Sequence, residues 1–348
     1  MKNTIRAIAV LVMTLICTAA SALTLASVAS CAPGPVGTAL QRSQNIVVNN
    51  QQVTPDEYYH QVWELVRDNF LYQERLTDWQ KWENKYDGKL NTFTDAEQAI
   101  NEMLDSLGDG YTYFKNATLT KAKQQRDDAR NVVSYRMLPG NIGYIRIRTF
   151  SSHHTAEETK AALQALKGAD AYVLDLRGNG GGYIHEARSV FSLFVDTGTF
   201  TTLRGRYDGD PYRELVVLTS KEFEVTVGTT ATTTSKSARE PNLTGNKPVV
   251  VLVNQDTASA SEMLSGALRD NGRAELLGTR TFGKGIAQLT WNLPRSTSVQ
   301  ITYARYYLPG GSSIHGTGIT PHRVVKPSGS GDVQLSEALK VIDQKLGR

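Results

Sequence analysis

The sequence has only two cysteines, Cys17 and Cys31, and both lie at its N-terminal end. The rest of the chain therefore folds without an internal disulfide, and a thiol nucleophile or a cysteine-bound metal is excluded. Excess charge is also scarce. The formal net charge is +4, part of it from Lys2 and Arg6, so nothing points to a nucleic-acid or membrane-surface partner. The histidines (His60, His153, His154, His185, His315, His322) stand in no matching context and no G-x-S-x-G occurs, which sets a Ser-His-Asp hydrolase aside. Repeats of solenoid length are missing too. What is present is a folding composition, 40% hydrophobic and 21% charged over 348 residues, enough for one large domain or two of ordinary size.

Lys2 and Arg6 precede an uncharged run, Ala7 to Ser30, that ends in small residues. This pattern reads as an export signal over 1–30. The run closes as "VASC", which resembles a bacterial lipobox, so Cys31 is the expected lipidation site and membrane tether. Ordinary signal cleavage and an uncleaved anchor are the alternatives. Residues 31–53 carry Pro, Gly, Asn and Gln without a usable period and read as a flexible tether.

A folded unit is expected from Thr54, where Thr54-Pro55-Asp56-Glu57 makes a capping box with proline at the first helical position. Tyr59, Val62, Trp63, Val66 and Phe70 follow at helical spacing, and a second helix fits Asp95 to Leu107. We therefore assign 54–131 to an N-terminal helical region. From Val132 the texture changes to short apolar runs alternating with helical ones, which predicts an α/β domain with a covered sheet over 132–348. Within it, the Thr-rich stretch 200–245 reads as a hairpin and loop, and Val333 to Leu346 as a closing helix.

Three stretches carry candidate chemistry. The apolar run "PVVVLVN" leads through "QDTA" into a helix that starts near Ser259, so Ser259 sits at a strand-to-helix corner, where backbone N–H groups and a helix dipole can meet a developing oxyanion. Ser259-Ala260-Ser261-Glu262 is equally a capping box, which needs no catalysis. "DLRGNGGG", Asp175 to Gly182, leaves the backbone free to turn N–H groups toward a reacting carbonyl, and it lacks the ending of a P-loop. In "GTRTFGKGIAQ", Lys284 stands between two glycines beside Phe282 and Ile286. Such a lysine is commonly a solvated loop charge, but in apolar surroundings its pKa falls and it becomes a general base.

Taken together these stretches resemble the C-terminal processing peptidases, also called tail-specific serine proteases. In that family a motif S-A-S-A-S-E carries the nucleophile on its middle serine and T-F-G-K-G supplies a lysine base. Here "TASASE" departs only at Thr257, "TFGKG" is unchanged, and Lys284 follows Ser259 by 25 residues, the family's separation. The resemblance thus selects Ser259 as nucleophile, Lys284 as base and Gln288 as the residue orienting the amine. It marks Glu262 as an acidic group beside the pair, and Gly181 with Ala260 as the oxyanion hole. "YYLPGGSSIHGTGITPHRVV" matches the late G-x-G-I-x-P-D segment with His322 in place of aspartate, and "SLGDGYTYF" matches D-P-Y/H-T-x-F with Gly110 in place of proline.

One departure stands out. The family usually carries a PDZ domain before the strand matching "IGYIRI", a unit of about 80 residues, yet only the 17 residues Lys115 to Asn131 are available here. The resemblance therefore implies a form without that domain, with a catalytic domain of the crotonase/Clp-protease-like type. It implies a secreted serine endopeptidase acting on proteins or peptides near their C-terminal tails through an acyl-enzyme, with no metal or organic cofactor. A non-catalytic module binding apolar ligands or peptides on the same fold is the competing expectation. Intact Ser259, Lys284 and Gln288 argue against it.

Overall fold

The computed structural model describes residues 53–228 and 232–348; the export signal, Cys31 and nearly all of the tether lie outside them. The capping box at Thr54 and Glu57 is formed in both directions and starts α1, Pro55–Asn69. Its buried face, Tyr58, Tyr59, Val62, Trp63 and Val66, packs on α2, Phe93–Asp105. This second helix starts ahead of the expected Asp95, because Thr92 and Asp95 close another capping box. Single helical turns at Gln73–Arg75 and Gln80–Glu83 lie between. A short strand, β1 (Tyr113–Lys115), and α3 (Ala117–Asp127) follow. That one helix occupies most of the interval 115–131.

A parallel sheet forms the centre of the remainder. Its strands are β2 (Val133–Leu138), β3 (Ile142–Ile147), β4 (Ala171–Asp175), β9 (Val249–Val253), β10 (Glu275–Gly278) and β13 (Arg323–Val324). The order is β13-β10-β9-β4-β3-β2, parallel throughout except for β2 at one edge. Helices α4 (Thr155–Ala165), α5 (Ile184–Ser192) and α6 (Ala260–Asp270) cover one face, and α7 (Val333–Leu346) covers the other. Alternate residues serve the two faces: Val249, Val251 and Val253 join the main core, while Val250 and Leu252 pack with Ala338, Val341 and Ile342 under α7. A strand wrapped on both sides has no polar face, which is why these strands read as unbroken apolar runs. Truncating Leu252 to Ala would cost about 2–5 kcal/mol.

The second sheet is antiparallel and has seven strands. Inserted between β4 and β9 is a meander of β5 (Gly198–Tyr207), β6 (Asp210–Leu218), β7 (Glu222–Gly228) and β8 (Thr232–Ala238). It replaces the hairpin and loop expected over 200–245. Threonine is at home on a pleated, half-exposed surface, and β6 alternates buried and more exposed positions. Strand β12 (Thr297–Tyr307) pairs with β11 (Ile286–Leu293) on one side and with β1 and β5 on the other. The core of α1 and α2 is continuous with this sheet, and Tyr58 Oη lies 2.5 Å from Thr297 Oγ1 across the join.

Candidate active site

The C-terminal ends of β4 and β9 lie side by side in the parallel sheet, and each delivers one of the candidate loops. After β9, Thr257 donates from its hydroxyl to the Leu176 carbonyl at 2.9 Å, and the Ala258 N–H donates to the Asn179 carbonyl at 3.0 Å. Ser259 then takes φ 56° and ψ −120° at the entrance to α6. A helix cap needs only extended backbone, so capping does not account for this conformation. A non-glycine residue held there carries strain of about 1–3 kcal/mol, and such strain gathers at functional sites.

The glycine-rich loop after β4 packs against that corner. Gly181 has φ 93°, and a Cβ on it would lie 2.6 Å from the Ala258 carbonyl oxygen and 2.8 Å from Ser259 Cβ, so only glycine fits. The other residues of "DLRGNGGG" hold the loop in place. Asp175 accepts from the Arg177 guanidinium and from Tyr144 Oη, and Arg177 continues to Asp332 at the start of α7. Ala260 is the first residue of α6, whose N–H has no acceptor within the helix. The Gly181 N–H, in contrast, donates to Asn179 Oδ1 at 3.0 Å, so it is engaged within its own loop in this conformation.

Lys284 lies on the loop between β10 and β11. Its Nζ sits 4.5 Å from the centroid of the Tyr111 ring, and among the described residues no carboxylate pairs with it. Burial lowers its pKa from the ordinary lysine value, against a weaker upward pull from Asp109. Ser259, Lys284 and Gln288 line one cleft of about 680 Å³, together with Gly180, Gly181 and Gly182. Gln288 follows a register shift between Ala287 and Gln288, the kind of irregularity that re-aims a side chain. Its amide N–H donates to Thr302 Oγ1 at 3.4 Å, and the structure gives no hydrogen bond from the lysine amine to its carbonyl oxygen.

Two buried side chains tie the Ser259 corner to the lysine loop. Glu262 Oε2 accepts the Ser259 and Lys284 N–H groups at 2.9 Å each, while Oε1 accepts the Gly283 N–H at 2.7 Å and the Thr281 hydroxyl at 2.5 Å. One carboxylate oxygen thus holds the backbone nitrogens of both residues within two hydrogen bonds of each other. Burial raises the Glu262 carboxyl above its ordinary range, and the four donors pull the other way. With both oxygens occupied, Glu262 is placed to brace the site rather than to shuttle protons. Tyr306 repeats the brace on the carbonyl side: its Oη donates toward the Lys284 carbonyl at 2.7 Å and the Ser259 carbonyl at 3.1 Å. Complete burial holds this phenol well above its ordinary pKa, so it remains a donor.

The sequence motifs contain Tyr306 and Tyr111 without suggesting a task for either. Tyr306 is 47 residues from Ser259, and no local pattern signals such a contact. His322, standing where aspartate is usual, accepts the Leu276 N–H on Nδ1 at 3.0 Å. At the cleft edge, ligand atoms of His153, His185 and Glu186 gather within 4.8 Å of one another. The two imidazoles are stacked with planes 17° apart, so their in-plane lone pairs do not converge on one point, and Glu186 Oε2 already accepts the Ala156 N–H. This group is not arranged as a metal centre.

Peptidase family S41 matches residues 141–325, just over half of the chain and all of the elements from β3 to β13. The chain is 33% identical over 276 residues to a carboxy-terminal-processing protease of Bartonella bacilliformis, covering 76% of this chain and 56% of that protein. It is 38% identical over 215 residues to a carboxyl-terminal-processing protease of Picosynechococcus sp., covering 58% and 45%. The chain spans about half the length of the curated relatives it matches. Among solved structures, a photosystem II D1 C-terminal processing protease superposes with a TM-score of 0.61 at 21% identity, over 83% of this chain and 97% of that one, a likeness of fold. The chain belongs to peptidase family S41, and its curated relatives are carboxyl-terminal processing proteases.

Proposed function

We propose that the protein is a serine endopeptidase that cuts proteins or peptides near their C-terminal tails with Ser259 as nucleophile and Lys284 as base. The observation that carries this reading is the strained Ser259 corner opening onto the same cleft as a lysine that has no counter-ion among the described residues. The neutral Lys284 amine takes the Ser259 hydroxyl proton as Oγ attacks the peptide carbonyl, and the protonated amine returns that proton to the leaving amine. The resulting acyl-enzyme is released by water, with Lys284 again accepting a proton. Negative charge on the carbonyl oxygen meets the Ala260 N–H at the start of α6 and the Gly181 N–H, which exchanges Asn179 for the oxyanion. Gln288, on the wall of the same cleft, completes the proposed set.

In this reading the chain works without a PDZ domain. Helix α3 stands in the interval instead and contributes Thr120, Lys123 and Asp127 to the cleft wall, so the substrate tail is gripped by the cleft itself. The same proposal places the enzyme outside the cytoplasm, in a bacterial cell envelope, with Cys31 lipidated. The test of activity is incubation of the purified protein with a folded substrate that bears a disordered tail, alongside Ser259→Ala. Mass spectrometry should find tail cleavage only with Ser259 present, and equal cleavage by both proteins overturns the assignment. The mature N-terminus, read in the same way, should be a lipid-bearing Cys31; an unmodified terminus elsewhere refutes the anchor.

A further inference from the structure

The cleft has a second cationic feature apart from its lysine base. Arg188 on α5 lines the same cleft as Ser259, and its Nε is buried with no hydrogen-bond partner. No ion pair reaches its guanidinium among the described residues; the group lies over the Phe223 ring, 4.8 Å from the centroid. Of the other cations on the cleft wall, Arg126 is exposed to solvent and two lysines are engaged. Lys115 Nζ donates to Gln300 Oε1 at 2.8 Å, and Lys123 pairs with Asp127 at 2.8 Å. Leu203, Val216 and Met263 supply apolar lining to the same cleft, and α5 packs on α6, the helix that begins at the nucleophile.

A half-buried guanidinium whose Nε is sealed from water without a partner is costly, and the fold offers it little compensation. The acid nearest in electrostatic terms is Glu214, which lines the cleft too and accepts a hydrogen bond from Tyr212 Oη. Burial pushes the Glu214 carboxyl upward, toward its neutral form, and burial also lowers Arg188, with Glu214 as the opposing influence. No hydrogen bond or ion pair joins the two residues. What the guanidinium lacks is an anion with two oxygens in its plane, the geometry that a carboxylate supplies.

We propose that Arg188 is the ligand of a carboxylate-binding subsite in the cleft, which takes an acidic side chain or the free C-terminus of the bound peptide. The proposal rests on the peptidase reading above, in that the carboxylate belongs to the peptide presented to Ser259. It assigns the enzyme a preference for anionic peptides over neutral ones of the same length and shape.

The test uses one core peptide with Glu or Gln at each position in turn around the cut, every version made both as the free acid and as the C-terminal amide. Cleavage (kcat/KM) is measured with wild type, Arg188→Met and Arg188→Lys, and binding is measured by fluorescence anisotropy on the Ser259→Ala background with and without Arg188→Met. Wild type should favour one carboxylate form over its neutral counterpart by roughly tenfold to a hundredfold, the worth of a hydrogen bond to a charged group. The Glu-against-Gln arm and the acid-against-amide arm tell which carboxylate is read. Arg188→Met should bring the ratio to about one, and Arg188→Lys should keep part of it. Cleavage without charge preference in wild type, or a preference that survives Arg188→Met, overturns the subsite and leaves the peptidase reading standing. Arg188-dependent binding of carboxylate peptides without any cleavage does the reverse. Should Arg188→Met fail to fold, as a melting curve reports, the wild-type ratio and Arg188→Lys still decide the matter.

Discussion

The two sheets contribute to the cleft in opposite ways. From the parallel sheet come the Ser259 corner and the glycine loop, both at the C-terminal ends of strands buried on both faces. From the antiparallel sheet come Gln288 and Tyr306, with Lys284 on the loop that leads into β11. One side is a rigid corner that stores backbone strain; the other is a set of long-range contacts around a lysine whose charge is poorly solvated. The proposed chemistry lies where these meet, and each side gives up stability in its own way, through dihedral strain on one and desolvation on the other.

The largest expected effect comes from removing the proposed nucleophile. Ser259→Ala should lower kcat by at least about a thousandfold while the melting temperature stays near wild type, since Ala leaves the strained φ in place. Ser259→Gly should be as inactive and should melt higher, because glycine adopts that conformation freely. If Ser259→Gly melts lower than Ser259→Ala, the corner is not under strain.

Next comes the lysine side. Lys284→Arg should be as inactive as Lys284→Ala, because a guanidinium keeps its proton. The rate of the wild type should rise with pH through the lowered pKa of Lys284 and level off above it. The sign for stability follows from the same shift. Between the lowered folded pKa and the unfolded value of about 10.4, the unfolded chain binds more protons, so stability gains with pH across that window. Below it the cost of the buried charge is present in full. Lys284→Met should therefore raise the melting temperature at neutral pH and lose this part of the pH dependence, which thermal melts from neutral to alkaline pH would reveal. An unchanged profile in Lys284→Met would remove the desolvated lysine from the comparison.

A smaller effect is expected from the brace between the sheets. Tyr306→Phe deletes the hydroxyl that reaches the Ser259 and Lys284 carbonyls and should cost about 0.5–1.5 kcal/mol of stability, measured by denaturant unfolding. Its kcat should fall more than its KM rises, as positioning requires. Equal loss in both would mark the tyrosine as merely structural. The smallest effect belongs to Ser261→Ala. The Ser261 hydroxyl is buried without a partner, so its removal should change stability by less than about 0.5 kcal/mol and leave most activity intact.

The sides also differ in how far the sequence discloses them. The parallel sheet is readable because strand β9, the corner and helix α6 follow one another in the chain, and because two-sided burial leaves a continuous apolar run. The closing helix, expected from Val333 to Leu346, has those bounds in the structure. The meander from β5 to β8 reads from sequence as a hairpin and loop, since its polar outer face hides the alternation. The braces are harder still. The motifs contain Glu262 and Tyr306 without giving either a task, because their work consists of hydrogen bonds to residues far along the chain. Nothing in a local period encodes such contacts.

The position of Tyr306 also bears on how the enzyme comes into being. Ser259 and Lys284 have both been synthesised once residue 284 is added, yet the strand that carries the tyrosine, Thr297–Tyr307, comes later and pairs with β5 from far upstream. Pairings of that sequence separation form late in folding. On the proposed dyad, a half-folded chain would hold Ser259 and Lys284 without the clamp that joins their loops, and its own unfolded segments would be spared until the last strand is in place.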